Sequence, residues 1–203
     1  MKLSDEFLAY LELRNDMFFD KISKSEIRSN INKVFDIVDE FIVDVKGRDV
    51  HELLEEANIK VNTLDSGGEF FKVKFRAQFE QSKNGDNAIN IYSKSLKDLA
   101  NITKIDYETV LKISLLHEYF HYLEAENDYV VSEKVDQVVT SKIFKLERRA
   151  NIGRWSEIGA QRFAQKMLSL DYMANYVDIL YLLNTDNLTK DKLKELEAEF
   201  NLV

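Results

Sequence analysis

Apolar residues recur at helical spacing through the first quarter of the chain. Ser4 is placed to cap one helix, and Ser23 with Glu26 forms a capping-box pattern before a second, longer helix. The apolar face comprises Phe7, Leu8, Leu11 and Phe18 in the first helix and Ile27, Ile31, Val34, Val38, Phe41 and Val45 in the second. We therefore predict that residues 1–48 form a helical hairpin that packs on or extends a domain of residues 49–203.

Strict alternation of apolar and polar residues follows a short helix opened by Asp49 and Glu52. In the run EFFKVKFRAQF, one face carries Phe71, Val73, Phe75, Ala77 and Phe79, and the other carries Lys72, Lys74, Arg76 and Gln78. Ile59 and Val61 precede this run, and the strand-like segment NAINIY follows it after the turn SKNGD. The pattern predicts a small antiparallel sheet of about three strands over residues 59–92.

Helical periodicity returns after residue 92 and continues to the end of the chain. The longest helix predicted in this part of the chain runs from Asp106 to about Ala125. Further helices are predicted from Ser132 to about Arg148, Arg154 to about Leu170 and Tyr172 to Leu183, and after a Thr189 cap. The expected fold class is therefore α+β and mostly helical.

The composition narrows the chemistry that the chain can perform. It contains no Cys, no Pro, six Gly and three His in 203 residues. Disulfides, Cys-ligated metals and Cys nucleophiles are therefore excluded, and any metal must be held by His and carboxylate side chains. A formal net charge of −8 makes a nucleic-acid partner unfavourable, because that binding depends on clustered Lys and Arg.

Targeting and membrane segments are not indicated. The N-terminal segment MKLSDEFLAYLELRND carries acidic residues where a secretory signal would carry an apolar core. The longest apolar stretches, such as residues 176–183, fall short of the roughly 20 residues that a membrane-spanning helix needs. We expect a cytoplasmic protein without a membrane partner.

One motif carries recognisable chemistry: His117-Glu118-Tyr119-Phe120-His121, an H-E-x-x-H within the predicted Asp106 helix. Two His at positions i and i+4 lie about 6 Å apart along one helix face, so both imidazoles can reach one metal ion. His117 and His121 would bind one Zn²⁺ per chain, and Glu118 would accept a proton from the water that attacks a peptide carbonyl. Two of the three His in the chain occupy these positions.

A third metal ligand must be acidic, because no His follows His121. Glu124 shares nearly the same helix face, but it lies about 10 Å along the axis from His117, which is far for one ion. Glu157 is favoured, since it opens the next long helix beside Ala160 and Ala164, whose small side chains permit close helix packing. The remaining alternatives are Glu133, Glu147 and Asp128.

These features resemble the gluzincin-type zinc metallopeptidases, and among them the ImmA/IrrE family. The resemblance covers residues 49–170, about three fifths of the chain, and includes LLEEANIKV, INIY, the H-E-x-x-H helix and the segment EIGAQRFA. This last segment is similar to the family pattern E-x-E-A-N-x-F-A. Glu157 stands at the first glutamate of that pattern, and Gly159 stands in place of the second. Departures are Phe120 in place of a usual Gly, the missing Met-Pro, and 35 residues between His121 and Glu157.

The resemblance implies a minimal gluzincin fold in which a small sheet lies over the active-site helix. It further implies that INIY forms the rim of a cleft and pairs with an extended peptide, and that the substrate is an intracellular protein, often a transcriptional repressor. We therefore predict a zinc endopeptidase with Glu118 as catalytic residue. Tyr172 and Tyr176 are candidates to stabilise the oxyanion, although packing is the alternative role for both.

Two further side chains are assigned structural roles. His51, in the helix before the sheet, is expected to lie on the surface or at the helix cap. Trp155, two residues before Glu157, is expected to be a core anchor.

Two other functions remain open. The first is a non-catalytic zinc-binding regulatory module, with the N-terminal helices as the interface to a second copy or a partner protein. The second is a DNA-binding helix-turn-helix, since residues 95–113 resemble that motif. Against DNA binding, the presumed recognition helix begins with Asp106 and Glu108 and continues into the zinc motif. A salt-dependent shift of duplex DNA that is lost on substitution of Lys104 and Lys112 would support it.

Overall fold

A computed structural model describes residues 2–43, 45–70, 73–82, 86–127, 129–144 and 146–203. Within these ranges the chain forms α-helices, short strands and one 3₁₀ turn at Phe19–Lys21. The helices are α1 Asp5–Leu13, α2 Lys24–Phe41, α3 Val50–Glu56, α4 Ser93–Thr103, α5 Tyr107–Glu126, α6 Val131–Lys134, α7 Arg154–Met167, α8 Tyr176–Asn184 and α9 Lys190–Phe200. The strands are β1 Ile59–Leu64, β2 Glu69–Phe70, β3 Val73–Lys74, β4 Ala77–Gln81, β5 Asn87–Tyr92, β6 Val138–Ile143 and β7 Leu146–Ala150. The α+β class is therefore confirmed.

Polar caps start several helices where the sequence predicts them. Ser4 Oγ accepts the Phe7 N–H at the start of α1, and Thr189 accepts the Lys192 N–H at the start of α9. Ser23 does precede α2, but its side chain makes no capping hydrogen bond and instead contacts Ser25. The predicted capping box is therefore wrong, although the helix boundary is right.

Three predicted helices are shorter than expected. Phe18 lies beyond the end of α1, Val45 lies beyond α2, and Tyr172 precedes α8. Each of these three residues is nevertheless partly buried against the core. Because a buried position favours an apolar side chain with or without a helix, the apolar pattern continues past the ends of the helices.

The segment predicted as one helix from Ser132 to about Arg148 is mostly a β-hairpin. Only Val131–Lys134 is helical, and β6 pairs with β7 in antiparallel register from Val138↔Ala150 to Ile143↔Leu146. β-Branched residues dominate β6, and they favour strands because their side chains are restricted in a helix. Phe144 at the turn adopts a positive φ of 55°, which ends any regular helix there.

The main sheet is mixed, with strand order β1-β5-β4. β5 pairs with β4 in antiparallel register, as predicted, but it pairs with β1 in parallel register from Ile59↔Asn87 to Leu64↔Tyr92. The prediction of an all-antiparallel sheet is therefore wrong. Ile89 and Ile91 of this central strand are completely or almost completely buried, so β5 anchors the sheet to the core.

The run EFFKVKFRAQF is not one continuous strand. β2 and β3 form a two-residue ladder, the chain bends at Arg76, and β4 then starts at Ala77. Gly68 permits the close approach of the Phe75 backbone. Its φ is +62°, and a Cβ at residue 68 would lie 2.5 Å from the Phe75 carbonyl oxygen. Phe71 and Lys72, and Lys83 to Gly85 of the predicted turn, lie outside the described residues.

The core centres on the packing of α7 against α5, with α1 and α2 covering α7. The apolar stripe of α2 is used within the chain, since Ile27, Ile31, Val34 and Val38 are all buried. Arg162 on α7 joins both N-terminal helices by ion pairs with Asp5 at 3.2 Å and with Asp39 at 2.8 Å. A partner that uses these helices would therefore have to bind their exposed faces.

Among the helices of the described ranges, none combines the length and the apolar character that crossing a membrane requires.

Candidate metal centre

The H-E-x-x-H motif lies within α5, whose first turn is capped by Asp106 Oδ2 accepting the Thr109 N–H. Helical spacing places the rings of His117 and His121 on the same side, and their Nε2 atoms are 3.2 Å apart. The His117 side chain is 16% exposed and that of His121 is 23% exposed. The two imidazoles thus converge at a site that is largely shielded but open to a ligand.

Glu157 approaches the two histidines from the first turn of α7. Its Oε2 lies 3.3 Å from His117 Nε2, and its Oε1 lies 3.7 Å from His121 Nε2. Ligands held tetrahedrally at zinc bond lengths of about 2.0–2.1 Å are about 3.3 Å from one another. The spacing of the three side chains therefore fits one Zn²⁺, and they form a His₂Glu group whose potential ligand atoms all lie within 4.8 Å of one another.

Close packing of α5 and α7 brings Glu157 to this position. Ala160 and Ala164 are completely buried, as expected for small residues between packed helices. Trp155 is also completely buried, which confirms its predicted role as a core anchor.

Glu124 contacts the opposite side of His121 from the metal-facing nitrogen. Its Oε2 lies 3.1 Å from His121 Nδ1, and its Oε1 accepts the Val131 N–H at 2.8 Å. A carboxylate on Nδ1 fixes the tautomer in which Nε2 is free to bind a metal. Glu124 therefore holds the His121 ring in place, and it is not one of the three converging side chains.

Glu118 projects toward the sheet, where its Oε2 accepts the Phe79 N–H at 2.8 Å. Phe79 belongs to β4, and its ring also makes an edge contact with Tyr122 of α5. Glu118 of the motif thus fastens the edge strand β4 to α5.

The surroundings of the triad favour positive charge. Burial by itself would lower the pKa of His117, but contact with Glu157 and the charges of Glu118 and Glu12 raise it to about 9. Burial by itself would raise the pKa of Glu157, but His117 and His121 lower it to about 2. The same field that holds a proton on His117 would favour a divalent cation at the triad.

A cavity of about 630 Å³ opens onto the triad. Besides His117, Glu118, His121 and Glu157, its polar lining includes Glu12, Arg76, Gln78, Ser114, Arg154, Gln161 and Asp178. Glu12, Arg76, Arg154 and Asp178 are functional candidates that sequence reasoning missed. They come from α1, the bend before β4, α7 and α8, and no sequence motif links such distant positions.

Arg154 and Glu12 form a charged pair at the cavity wall. Arg154 Nη1 donates to Glu12 Oε1 at 2.9 Å, and the Arg154 backbone N–H donates to Asp16. Burial raises the pKa of Glu12 although Arg154 opposes that effect. The N-terminal helix α1 therefore contributes directly to the cavity of the candidate site.

Tyr172 and Tyr176 do not line this cavity. Their rings contact each other in a tilted arrangement, with centroids 5.1 Å apart, and they line a separate hollow with Lys2, Leu3 and Asp171. The structure therefore contradicts the proposal that either tyrosine stabilises an oxyanion at the triad.

The other predicted candidates lie apart from the triad. Glu133 is exposed at α6, and Glu147 pairs with Lys142 at 2.7 Å in the β6–β7 hairpin. Asp128 lies outside the described residues. His51 is exposed, and its backbone N–H donates to the cap residue Asp49, which confirms its predicted location.

The geometry gives little support to the helix-turn-helix hypothesis. α4 and α5 are joined by a short turn with Lys104 in the left-handed conformation at φ 62°, as such a motif requires. However, Lys112 is 30% exposed and lies 3.8 Å from both Asp49 and Glu108. α5 also packs against α7, α4 and β4, so the presumed recognition helix is largely enclosed.

Comparison with known proteins assigns no relative to the chain. No family model matches it, and no match was found among curated proteins or solved structures. The resemblance to gluzincins and to the ImmA/IrrE family therefore remains a prediction from the motif and its spacing.

Proposed function

We propose that this chain is a zinc-dependent endopeptidase with a zincin-like fold of the gluzincin type, which binds one Zn²⁺ through His117, His121 and Glu157. The convergence of these three side chains, with Glu118 next to the first ligand in sequence, is the observation that carries the proposal. Three protein ligands leave a fourth position free, which distinguishes a catalytic zinc site from a closed structural one. A bound Zn²⁺ supplies Lewis acidity, which polarises a carbonyl and makes water more acidic.

Glu118 acts as the general base. Because its Oε2 accepts the Phe79 N–H, we assign proton uptake to Oε1. The carboxylate takes a proton from the attacking water and delivers it to the leaving amine when the peptide C–N bond breaks. Phe79 limits the rotation of this carboxylate and holds it beside the triad.

Arg154, and not Tyr172 or Tyr176, stabilises the oxyanion that forms when water attacks the peptide carbonyl. Among the described residues that line the cavity, the arginines are Arg76 and Arg154. Arg154 is the more exposed, at 38% against 17% for Arg76, and it lies one helical turn before Glu157. Its pairing with Glu12 uses only part of its donor capacity, since a guanidinium has five N–H groups.

The peptide lies along the free edge of β4 rather than along β5. The resemblance implied that INIY forms the rim, but this segment is β5, which is paired on both sides. Tyr92 donates its N–H to the Arg76 carbonyl, so alternate residues Arg76, Gln78 and Glu80 face β5. The backbone groups of Ala77 and Phe79 consequently point away from β5, and both residues line the cavity. The Phe79 N–H is held by Glu118, so the Phe79 carbonyl and the Ala77 backbone are the groups that would pair with a peptide.

Metal analysis combined with one substitution tests the proposal. The purified protein should hold about one Zn²⁺ per chain, and Glu118→Gln should keep the metal but lose cleavage of unfolded protein substrates such as casein. Glu126→Gln, an exposed substitution on the same helix, is the matched control and should retain cleavage. Retained cleavage by Glu118→Gln would remove Glu118 from its role, and Glu157→Ala with unchanged zinc affinity would refute the third ligand.

The hydrogen bond from Phe79 also favours a second candidate, a non-catalytic zinc-binding module. In that case Glu118 serves only to fasten β4 to α5. The two functions predict different results for the wild-type protein, because both retain zinc but only the peptidase cleaves a substrate.

A further inference from the structure

The cavity at the triad extends to α8, where Asp178 and the neighbouring Arg76 form part of its wall. Arg76 Nη2 lies 3.5 Å from Asp178 Oδ1. Neither residue is needed to hold a metal or to move the proton in the proposed reaction. Both side chains lie where they could contact another occupant of the cavity.

Arg76 is already engaged on several sides. Its Nη1 donates to Ser95 Oγ at 2.7 Å, and its guanidinium lies over the Tyr181 ring at 4.8 Å from the centroid. The side chain is only 17% exposed. Arg76 thus acts as a fixed cationic support, with little capacity to bind an additional anion.

Asp178, in contrast to Arg76, offers a charged group that can still bind a ligand. Its side chain remains 51% exposed, and its Oδ1 is the oxygen that meets Arg76. Within the described parts of the chain, no hydrogen bond or ion pair engages Oδ2. Neighbouring groups of the cavity wall partly desolvate the carboxyl group, and this desolvation raises the pKa of Asp178 despite the charge of Arg76. A cationic ligand would offset this cost to the negative charge.

Apolar side chains lie along the same cavity and would suit a long aliphatic stem. These residues come from α4, α5 and the region of α8, and they are Leu99, Val110, Ile113, Ala174 and Val177. An aliphatic stem that ends in a cation is the chemistry of a lysine or arginine side chain.

We propose that Asp178 is a specificity-determining residue that binds the cationic end of a lysine or arginine side chain of the peptide substrate. This inference rests on the proposed peptidase function, because it assumes that a peptide occupies the cavity beside the metal. Arg76 positions the Asp178 carboxylate from one side, and the substrate cation contacts its free oxygen.

Binding of uncleavable probes tests the subsite separately from activity. We would titrate the zinc-loaded protein by calorimetry with the hydroxamates of Nα-acetyl-lysine, Nα-acetyl-norleucine and Nα-acetyl-glutamate. The lysine probe should bind about fivefold more tightly than its uncharged norleucine analogue, as expected for a half-exposed charge pair. Asp178→Asn should remove the preference for the lysine probe. Asp171→Asn is the control and should retain that preference, because Asp171 is exposed and lines the separate hollow beside Tyr172 and Tyr176.

Charge reversal distinguishes recognition from a purely structural role. Asp178→Lys should transfer the preference to the glutamate probe, which loss of structure alone would not do. Equal binding of all three probes by the wild-type protein would overturn the subsite but leave the metal site intact. Failure of every probe to bind the zinc-loaded protein would overturn both the open metal position and the subsite that depends on it.

Discussion

The ring of Phe120 packs directly onto Gly159, so that a Cβ at residue 159 would lie 3.1 Å from the ring atoms Cε1 and Cζ. Phe120 precedes His121 of the H-E-x-x-H motif on α5, and Gly159 follows Glu157 by two residues on α7. The large side chain on one helix occupies the space left by the missing side chain on the other. Both positions depart from the pattern of the resembled family, and the structure shows that the two departures are complementary in size.

Gly159→Ala is therefore expected to lower thermal stability. Ala normally favours a helix over Gly by about 1 kcal/mol, but overpacking costs about 1–3 kcal/mol where the neighbour cannot move. Phe120 is 1% exposed and contacts Phe163 and Phe41, so it has little freedom to shift. Thermal unfolding measures the effect. Gly153→Ala is a control with more space, since a Cβ there meets only Asp16 Oδ2 at 4.0 Å. A higher melting temperature for Gly159→Ala would show that the ring can move.

Glu124→Gln is expected to weaken zinc binding by about 10- to 100-fold without abolishing it, as found for carboxylates that orient metal-binding histidines. Glu124 uses both oxygens, one for His121 Nδ1 and one for the Val131 N–H, whereas Gln has a single acceptor oxygen. Competition with a fluorescent zinc chelator would measure the affinity. The same assay on Glu126→Gln should show wild-type affinity, and an unchanged affinity for Glu124→Gln would argue against an orienting role.

Zinc binding is expected to release about one proton per chain near pH 7. The pKa of His117 is about 9 in the metal-free protein, so its imidazole is protonated at neutral pH, whereas a ligand must be neutral. The apparent affinity should therefore rise about tenfold per pH unit as the pH increases toward 9. Calorimetry in buffers of different ionisation enthalpy counts the protons that are released.

His51→Gln is the control, because it removes the exposed third histidine and should leave the number of released protons unchanged. A zinc affinity that does not change between pH 7 and pH 8 would contradict the release of a proton from His117.

Arg154→Gln is expected to lower kcat by about 10²–10³ while zinc affinity is retained, because the guanidinium contacts the developing oxyanion and not the metal. Cleavage kinetics and metal content would be measured on the same samples. Arg149→Gln, at an exposed site in the β6–β7 hairpin, should keep normal kinetics. If Arg154→Gln raised KM alone, Arg154 would be a substrate-binding residue and not a transition-state donor.

The pairing of Asp39 with Arg162 should make stability depend on acid pH. Burial by itself would raise the pKa of Asp39, but Arg162 and Lys166 lower it below its ordinary value. Since folding favours the ionised form, this stabilisation is present above the unfolded pKa of about 4 and is lost as the pH falls through the folded pKa.

Asp39→Asn is expected to lower the free energy of unfolding by about 1 kcal/mol at pH 7, a modest value because the carboxylate is 39% exposed and solvent screens the pair. Urea unfolding at a series of pH values should show the difference from wild type shrinking below pH 4. Asp36→Asn, on the exposed face of the same helix, should have little effect. A difference that persists undiminished in acid would assign the loss to packing.

Local patterns predicted most of the helices and the central part of the candidate site. Helical periodicity around His117 and His121 requires both rings to lie on one side of α5, whatever the rest of the chain does. The small residues Ala160 and Ala164 correctly indicated that the helix of Glu157 packs closely. The sequence predicts a helix where the structure has the hairpin of residues 138–150, because the apolar positions of this segment also match a helical period. The β-branched residues of β6 favour a strand there over a helix.

What the sequence determined by itself is the set of donor groups open to a metal site: without Cys, and with two of its three His at i and i+4, the chain offers two imidazoles and a carboxylate as candidate ligands. Only the tertiary structure decided which distant groups surround that set. Contacts between α1, α7, α8 and the bend before β4 depend on how the core packs, and no local period encodes them. The same holds for the parallel pairing of β1 with β5, which leaves β4, and not the predicted INIY strand, at the edge of the sheet beside α5.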